Sequence, residues 1–484
     1  MTLLRSLIVG VLAVTAARLV RSLLADRRRP VRRVAWILLL APYFTPVLLT
    51  GYAYANFSLS LIHHPAINTI FYSALLWWKF TPLAAVILHF TPAPISAEAI
   101  HCRRLAWSAA FTPLHFSTTP DIRTVKRRER RAPLTRILVS QIEFCTFLIR
   151  AGCARGPAAA FAVVFLCAFA EFEMASLMVV KSWTVALFDA HAGGLALSES
   201  LRRMLGPLLC EAAAITTVFV VLRRNQIVPA RLNRGSRAGR GFAWCHLLIA
   251  FMFVLMIPAA MVLWGTIHGL GLLMENFVLS REILASLLFA AGASVLAGLA
   301  AFWFGAAARG RSIVSILTKV ILITAVFAGL LGPLVLALTV LAAVQLPGLI
   351  LLRDTPVPLV FTLGLVLLPM ALVLMRVLEL TAHGTALHLT TLMQKSRATR
   401  ELTWRLSTSG KFWAMMLLFV WAYWDLTASS ILAPIGMTPV TVRLYNLMHY
   451  GQIAALSAMT CAAFAAPIFI LLLALGTRRW WAPR

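Results

Sequence analysis

Acidic residues are scarce in this chain: 16 Asp and Glu stand against 44 Lys and Arg across 484 residues. Charged residues of both signs make up 12% of it, about half the share carried by an average soluble domain. That shortage argues against an ordinary soluble domain. The seven cysteines are scattered, mostly inside apolar runs. None forms a Cys-x-x-Cys pair or a metal-finger spacing, so neither a disulfide framework nor a zinc module is indicated. Catalytic signatures are missing too: there is no Gly-x-Ser-x-Gly elbow, no His-Glu-x-x-His and no paired carboxylates in a polar domain.

What the chain has instead is apolar sequence. The hydrophobic fraction is 61% and the mean hydropathy +0.87. The runs are long enough to cross a bilayer core. They predict an all-α, polytopic membrane protein with about 11 transmembrane helices. The expected spans are 3–24, 35–55, 67–91, 158–180, 205–223, 243–267, 281–304, 314–342, 357–378, 411–432 and 453–475.

The Lys and Arg residues behind the net charge of +28 concentrate in short connections such as Asp26-Arg27-Arg28-Arg29-Pro30-Val31-Arg32-Arg33. Cytoplasmic loops carry such an excess, and anionic lipid attracts it. No basic domain separates from the membrane part, so nucleic acid is not an expected partner; membrane lipid is. The basic connections 25–34, 92–157, 224–242, 305–313 and 379–410 all fall on one side of an eleven-span chain. This places the amino terminus outside and the carboxyl terminus in the cytoplasm. The first helix reads as an uncleaved span, because its charge cluster follows it. The Gly/Arg-rich stretch 224–242 reads as a flexible cytoplasmic linker. It divides the chain into a half of five spans, 1–223, and one of six, 243–484.

Two stretches echo each other. Glu171-Phe172-Glu173-Met174-Ala175-Ser176 is followed by Trp183-Thr184-Val185-Ala186-Leu187-Phe188-Asp189. Trp424-Asp425-Leu426-Thr427-Ala428-Ser429 is followed by Pro439-Val440-Thr441-Val442-Arg443-Leu444-Tyr445-Asn446. A repeat of this length in an apolar chain points to two related membrane half-domains and a transporter-like core. Glu171, Glu173 and Asp425 are acids at the edge of apolar runs, where ionisable groups often mark a pathway. Helix-end acids satisfied by water or backbone would look the same. Lys79, mid-span after Trp77-Trp78, either lines a pathway or snorkels. His63, His64, His191 and His449 lie in or near outer connections, where they either receive a cation such as ferric iron or are ordinary interfacial histidines; no two show a strong metal-ligand spacing.

The second stretch resembles a known family: the fused, two-half permease subunit of bacterial ATP-binding cassette importers, of the kind that moves ferric iron or thiamine. The match is carried by Trp424 to Pro434, with an acid, Leu, Thr, Leu and Pro in the family's order, and by Gly436 with Thr441-Val442-Arg443-Leu444-Tyr445-Asn446. Ala343-Val344-Gln345-Leu346-Pro347-Gly348-Leu349 resembles that family's Leu-Pro-Gly helix break. The first half fits more loosely, through Pro42, Pro46, Tyr52 and the segment 171–189. The resemblance implies a permease of the bacterial inner membrane that carries a small solute, ferric iron for example. It implies two cytoplasmic ATPase subunits and an extracytoplasmic binding protein as partners, and no cofactor. Glu171, Glu173, Asp189, Asp425, Arg443, Tyr445 and Asn446 become pathway candidates.

The family's coupling loops read Glu-Ala-Ala-x-x-x-Gly. The corresponding stretches here are Glu98-Ala99-Ile100-His101-Cys102-Arg103-Arg104 and Thr385-Ala386-Leu387-His388-Leu389-Thr390-Thr391. The first has Arg where Gly is expected, and the second lacks both Glu and Gly. A polytopic membrane enzyme or scaffold that keeps the fold without ATPase coupling is the alternative. The loop Gly305-Ala306-Ala307-Ala308-Arg309-Gly310-Arg311-Ser312 has Arg where a phosphate loop needs Lys, and membrane spans flank it. Any ATP hydrolysis therefore belongs to a separate subunit.

Overall fold

The computed structural model describes residues 1–26, 28–91, 153–223, 237–274, 279–307, 313–381, 397–449 and 453–481. Among them every regular element is helical. In chain order these are α1 Thr2–Leu24, α2 Arg29–Phe44, α3 Val47–Ser60, α4 Pro65–Phe90, α5 Arg155–Phe169, α6 Glu173–Leu177, α7 Trp183–Ala192 and α8 Leu197–Arg223. Then come α9 Arg237–Phe251, a π-turn Met252–Met256, α10 Ile257–Met274, α11 Leu279–Ala307, α12 Ile313–Leu330 and α13 Pro333–Val344. The last are α14 Val357–Thr381, α15 Arg397–Tyr423, α16 Thr427–Leu432, α17 Val440–His449 and α18 Ile453–Trp481. Eight helical stretches among the described residues are long and apolar enough to cross a membrane, and the bent pair α2–α3 makes a ninth as one span. The chain is an all-α, multi-pass membrane protein.

Helix α9 begins inside the stretch expected to be a flexible linker, so residues 237–242 are helical. Four expected spans are also broken. Residues 35–55 bend by 72° between α2 and α3. Residues 158–180 stop at Phe169 and restart at Glu173; 314–342 stop at Leu330; 411–432 stop at Tyr423. A span-length window stays apolar across each break, although Glu171 and Asp425 stand in two of them, but the backbone does not run on. Pro46 has no N–H to continue α2. Gly332 takes φ +85°, which a side chain would resist, and Pro333 then opens α13.

Two apolar cores flank the middle of the molecule. One is built by α1, α4 and α5, with Val9, Ala13 and Ala17 facing Tyr72, Leu75, Leu76, Ala160 and Val164. The other is built by α11, α14 and α15, with Ala290, Ala293 and Ala297 facing Leu363, Leu367, Leu418 and Phe419. Small residues every three or four positions let these helices approach closely, which is how helices associate where lipid removes the hydrophobic drive. Short α6 packs on α3, and short α16 packs on α13.

Helices α9 and α10 tie the cores together. α9 packs on α1 and α2, and α10 packs on α18. The π-turn between them exposes carbonyls that α3 covers: Thr50 Oγ1 donates to Val254 O at 3.2 Å and Tyr54 OH to Phe253 O at 2.8 Å. Farther along, Thr266 Oγ1 donates to Ser457 O at 3.1 Å.

The end of α6 holds a strained residue. Val179 has φ +53°, a left-handed conformation that costs a β-branched residue about 1–2 kcal/mol. The turn closes by Val180 N–H donating to Ala175 O at 2.8 Å, while Asn68 Nδ2 donates to Met178 O at 2.8 Å. Val179→Gly is therefore expected to stabilise the protein by about 1 kcal/mol. A thermal melt in detergent checks this: a lowered midpoint would show that the Val179 side chain holds the turn.

Candidate functional site

All four helix breaks open onto one cavity of about 400 Å³. Its lining takes Phe44, Thr45 and Pro46 from the first break and Ala170, Glu171 and Glu173 from the second. Leu330, Gly332 and Pro333 come from the third, and Trp424, Asp425 and Thr427 from the fourth. Irregular backbone at membrane depth is tolerated where it lines a cavity or lies buried in protein. The apolar share of the wall is large, and four charged side chains interrupt it: Lys79, Glu171, Glu173 and Asp425.

Lys79 does not snorkel. It is 3% exposed and donates to the carbonyls of Thr45 and Pro42, the latter at 3.5 Å. Pro42 O lacks its usual helical partner because residue 46, four positions on, is a proline. The lysine thus replaces an amide donor that the sequence removed.

Glu171 sits among donors. Its Oε1 accepts from Met174 N at 2.5 Å, and its Oε2 from Ala175 N at 3.1 Å and Tyr72 OH at 2.5 Å. The carboxylate caps α6, where its charge meets the positive end of the helix. The Arg5 guanidinium lies 4.6 Å from the centre of the Tyr72 ring. Arg5 and Tyr72 were not among the expected site residues; an arginine inside the first apolar run was the available signal.

Asp425 repeats the arrangement. Its Oδ2 accepts from Ala428 N and Ser429 N, each at 3.0 Å. Thr184 Oγ1 donates to Glu171 O at 2.8 Å, and Thr441 Oγ1 donates to Asp425 O at 2.9 Å. The matching bonds pair Glu171 with Asp425 and Thr184 with Thr441. This shifts the literal string match by one residue, since aligning Ala175-Ser176 with Ala428-Ser429 sets Glu171 against Trp424.

Glu173 crosses from one stretch to the other. Its Oε1 accepts from Leu426 N at 2.9 Å and meets Thr427 Oγ1 at 3.5 Å. Asp425, Glu171 and Lys79 all act on it electrostatically. Beside it, Ser176 Oγ and Tyr445 OH lie 2.6 Å apart.

The three acids fall inside the expected spans 158–180 and 411–432, and those spans are broken at them: Glu171 lies between α5 and α6, Glu173 opens α6, and Asp425 lies between α15 and α16. Tyr445 joins them through Ser176, but Arg443, Asp189 and Asn446 lie outside the cavity lining. Arg443 faces Glu282 of α11 at 3.6 Å, while Asp189 and Asn446 are exposed. His191 Nδ1 lies 3.3 Å from Ser200 Oγ. Among the described residues no three His, Cys, Asp or Glu side chains gather as a metal site. Glu98, Ala99, Thr385, Ala386 and His388 fall outside the described residues. The chain matches no family model, no curated protein and no solved structure.

Proposed function

We propose that the chain is the membrane permease of an ATP-binding cassette importer, built from two related halves. The observation that supports this best is the duplicated cap: Glu171 and Asp425 each take the N–H groups three and four residues on, and both face one cavity. Transporters that bind cargo near the bilayer midplane build the site from paired broken helices. Counting α2–α3, α5–α6 and α15–α16 as one broken crossing each, beside the eight long spans, gives the eleven crossings read from the sequence. In this reading α1, α2–α3, α4, α5–α7 and α8 correspond to α11, α12–α13, α14, α15–α17 and α18, and α9–α10 is an additional strap.

The protein lies in the bacterial inner membrane, with its amino terminus outside and its carboxyl terminus in the cytoplasm. A binding protein delivers a small solute, such as ferric iron, to the outer side. Two ATPase subunits engage the cytoplasmic loops around 98 and 388. ATP binding shifts the permease only if the ATP-bound pair favours one permease state over the other.

The test is reconstitution. The chain, co-expressed with a candidate ATPase and placed in lipid nanodiscs, is expected to co-purify with it and to raise ATP hydrolysis several-fold. Photocrosslinkers at positions 98 and 388 are expected to capture the ATPase. A folded chain that retains no ATPase and crosslinks to none at either position would leave the alternative, a membrane enzyme or scaffold that has kept the fold. An amino-terminal reporter that is active only in the cytoplasm would overturn the topology.

A further inference from the structure

Glu173 does something that the other two acids do not. Glu171 and Asp425 each cap a helix of their own stretch. Glu173 reaches the opposite stretch, accepting from Leu426 N at 2.9 Å and meeting Thr427 Oγ1 at 3.5 Å. The register that pairs Glu171 with Asp425 also pairs position 173 with position 427. Positions related by a two-fold touch each other only on the axis. Glu173 and Thr427 therefore mark the place where the axis meets the cavity wall.

The surroundings complete a seam. Ser176 and Tyr445 bond across it at 2.6 Å, and the rings of Phe172 and Tyr445 lie 6.5 Å apart. These groups follow the breaks in chain order. A second cross-contact, Tyr43 against Trp421 at 5.3 Å, precedes them, in the last turns of α2 and α15, whose first turns adjoin the basic connections. The cavity thus has an aromatic closure on its basic-loop side and a closure centred on Glu173 on the other.

We propose that Glu173 is the outer gate residue of this cavity. Its bond to the Leu426 N–H holds the two stretches together on the axis, and release of that bond opens the cavity outward. This rests on the permease reading above. It adds a specific latch to it: one acceptor supplied by one half, one amide by the other. The latch is asymmetric, because Thr427 offers no carboxylate in return. A buried amide left without its acceptor accounts for roughly a tenfold shift between closed and open populations.

Cys167 is a natural reporter, since it lines the cavity and is partly exposed. The full chain, with its other six cysteines replaced by alanine, is labelled from outside intact cells with a membrane-impermeant maleimide. Glu173→Ala is expected to speed labelling of Cys167 roughly tenfold, and Glu173→Gln, whose amide oxygen still accepts from Leu426, to speed it less. In a second variant, Glu173→Cys with Thr427→Cys, oxidation is expected to close a disulfide that suppresses Cys167 labelling until a reductant is added. Equal labelling of Glu173→Ala and the parent, with both folded, would overturn the gate. So would Cys167 labelling in the double-cysteine chain that does not change between oxidised and reduced forms. Neither measurement involves an ATPase. A chain that gates but binds no ATPase keeps this inference and loses the importer reading; a chain that binds one without changed labelling does the reverse.

Discussion

Glu171→Ala is expected to destabilise the protein by about 3–5 kcal/mol. The substitution strands three donors together: Tyr72 OH, Met174 N and Ala175 N all end on this carboxylate. Each buried donor left without a partner costs about 1–3 kcal/mol. The Arg5 charge beside Tyr72 also loses a carboxylate with which it interacts electrostatically. Tyr72→Phe, which removes one donor and leaves the other two satisfied, should cost only about 1 kcal/mol. Thermal unfolding of the purified protein in detergent measures both. Comparable midpoints for the two variants would show that the carboxylate is not the hub.

Gly329→Ala is expected to cost about 3 kcal/mol or more, although it adds a single methyl group. A β-carbon at 329 would run into the carbonyl oxygen of Leu365 and come within 3.0 Å of Pro369 Cδ. The obstacle is backbone, which cannot swing aside. Its position has a cause: Pro369 has no N–H, so the Leu365 carbonyl four residues earlier lacks its helical donor. The bare Cα of Gly329 lets α12 close against that loosened turn of α14, where a Cα–H···O contact is available. The same melt reads the effect. An alanine variant as stable as the parent would mean that α12 packs farther from α14 than described.

The membrane class was legible because it rests on composition, and each expected span holds at least one observed helix. The breaks were not, because their flanks stay apolar and a lone acid such as Glu171 or Asp425 marks a helix edge as readily as a break. Phe169, Ala170 and Phe172 are as hydrophobic as any span interior, yet the helix stops among them. Pro46 and Pro333 were visible in the sequence, but a proline inside a membrane helix bends some helices and merely kinks others. The duplicated motif was visible as strings, and its register was not. Shared Ala-Ser pairs dominate the string match, whereas helix capping depends on which acid precedes the first free amides. Lys79 stayed ambiguous because its partners are main-chain carbonyls, which leave no side-chain signature. The contact of Glu173 with Leu426 spans 253 positions, and nothing local to either residue encodes it.

The wide turn at Met252–Met256 has one more consequence. A π-turn holds a surplus residue relative to the α-helix on either side. Each residue of an α-helix advances the side chains by about 100°. The turn therefore works as a vernier: it rotates everything beyond it by one notch. The face that α9 presents to α1 and α2 and the face that α10 presents to α18 are brought into phase by that notch. Thr50 and Tyr54 grip the loosened carbonyls, so the setting is fixed from the helix that borders the cavity. Loss of one residue between 252 and 256 would restore a regular helix. It would also turn Thr266 away from Ser457 and leave the two cores out of step.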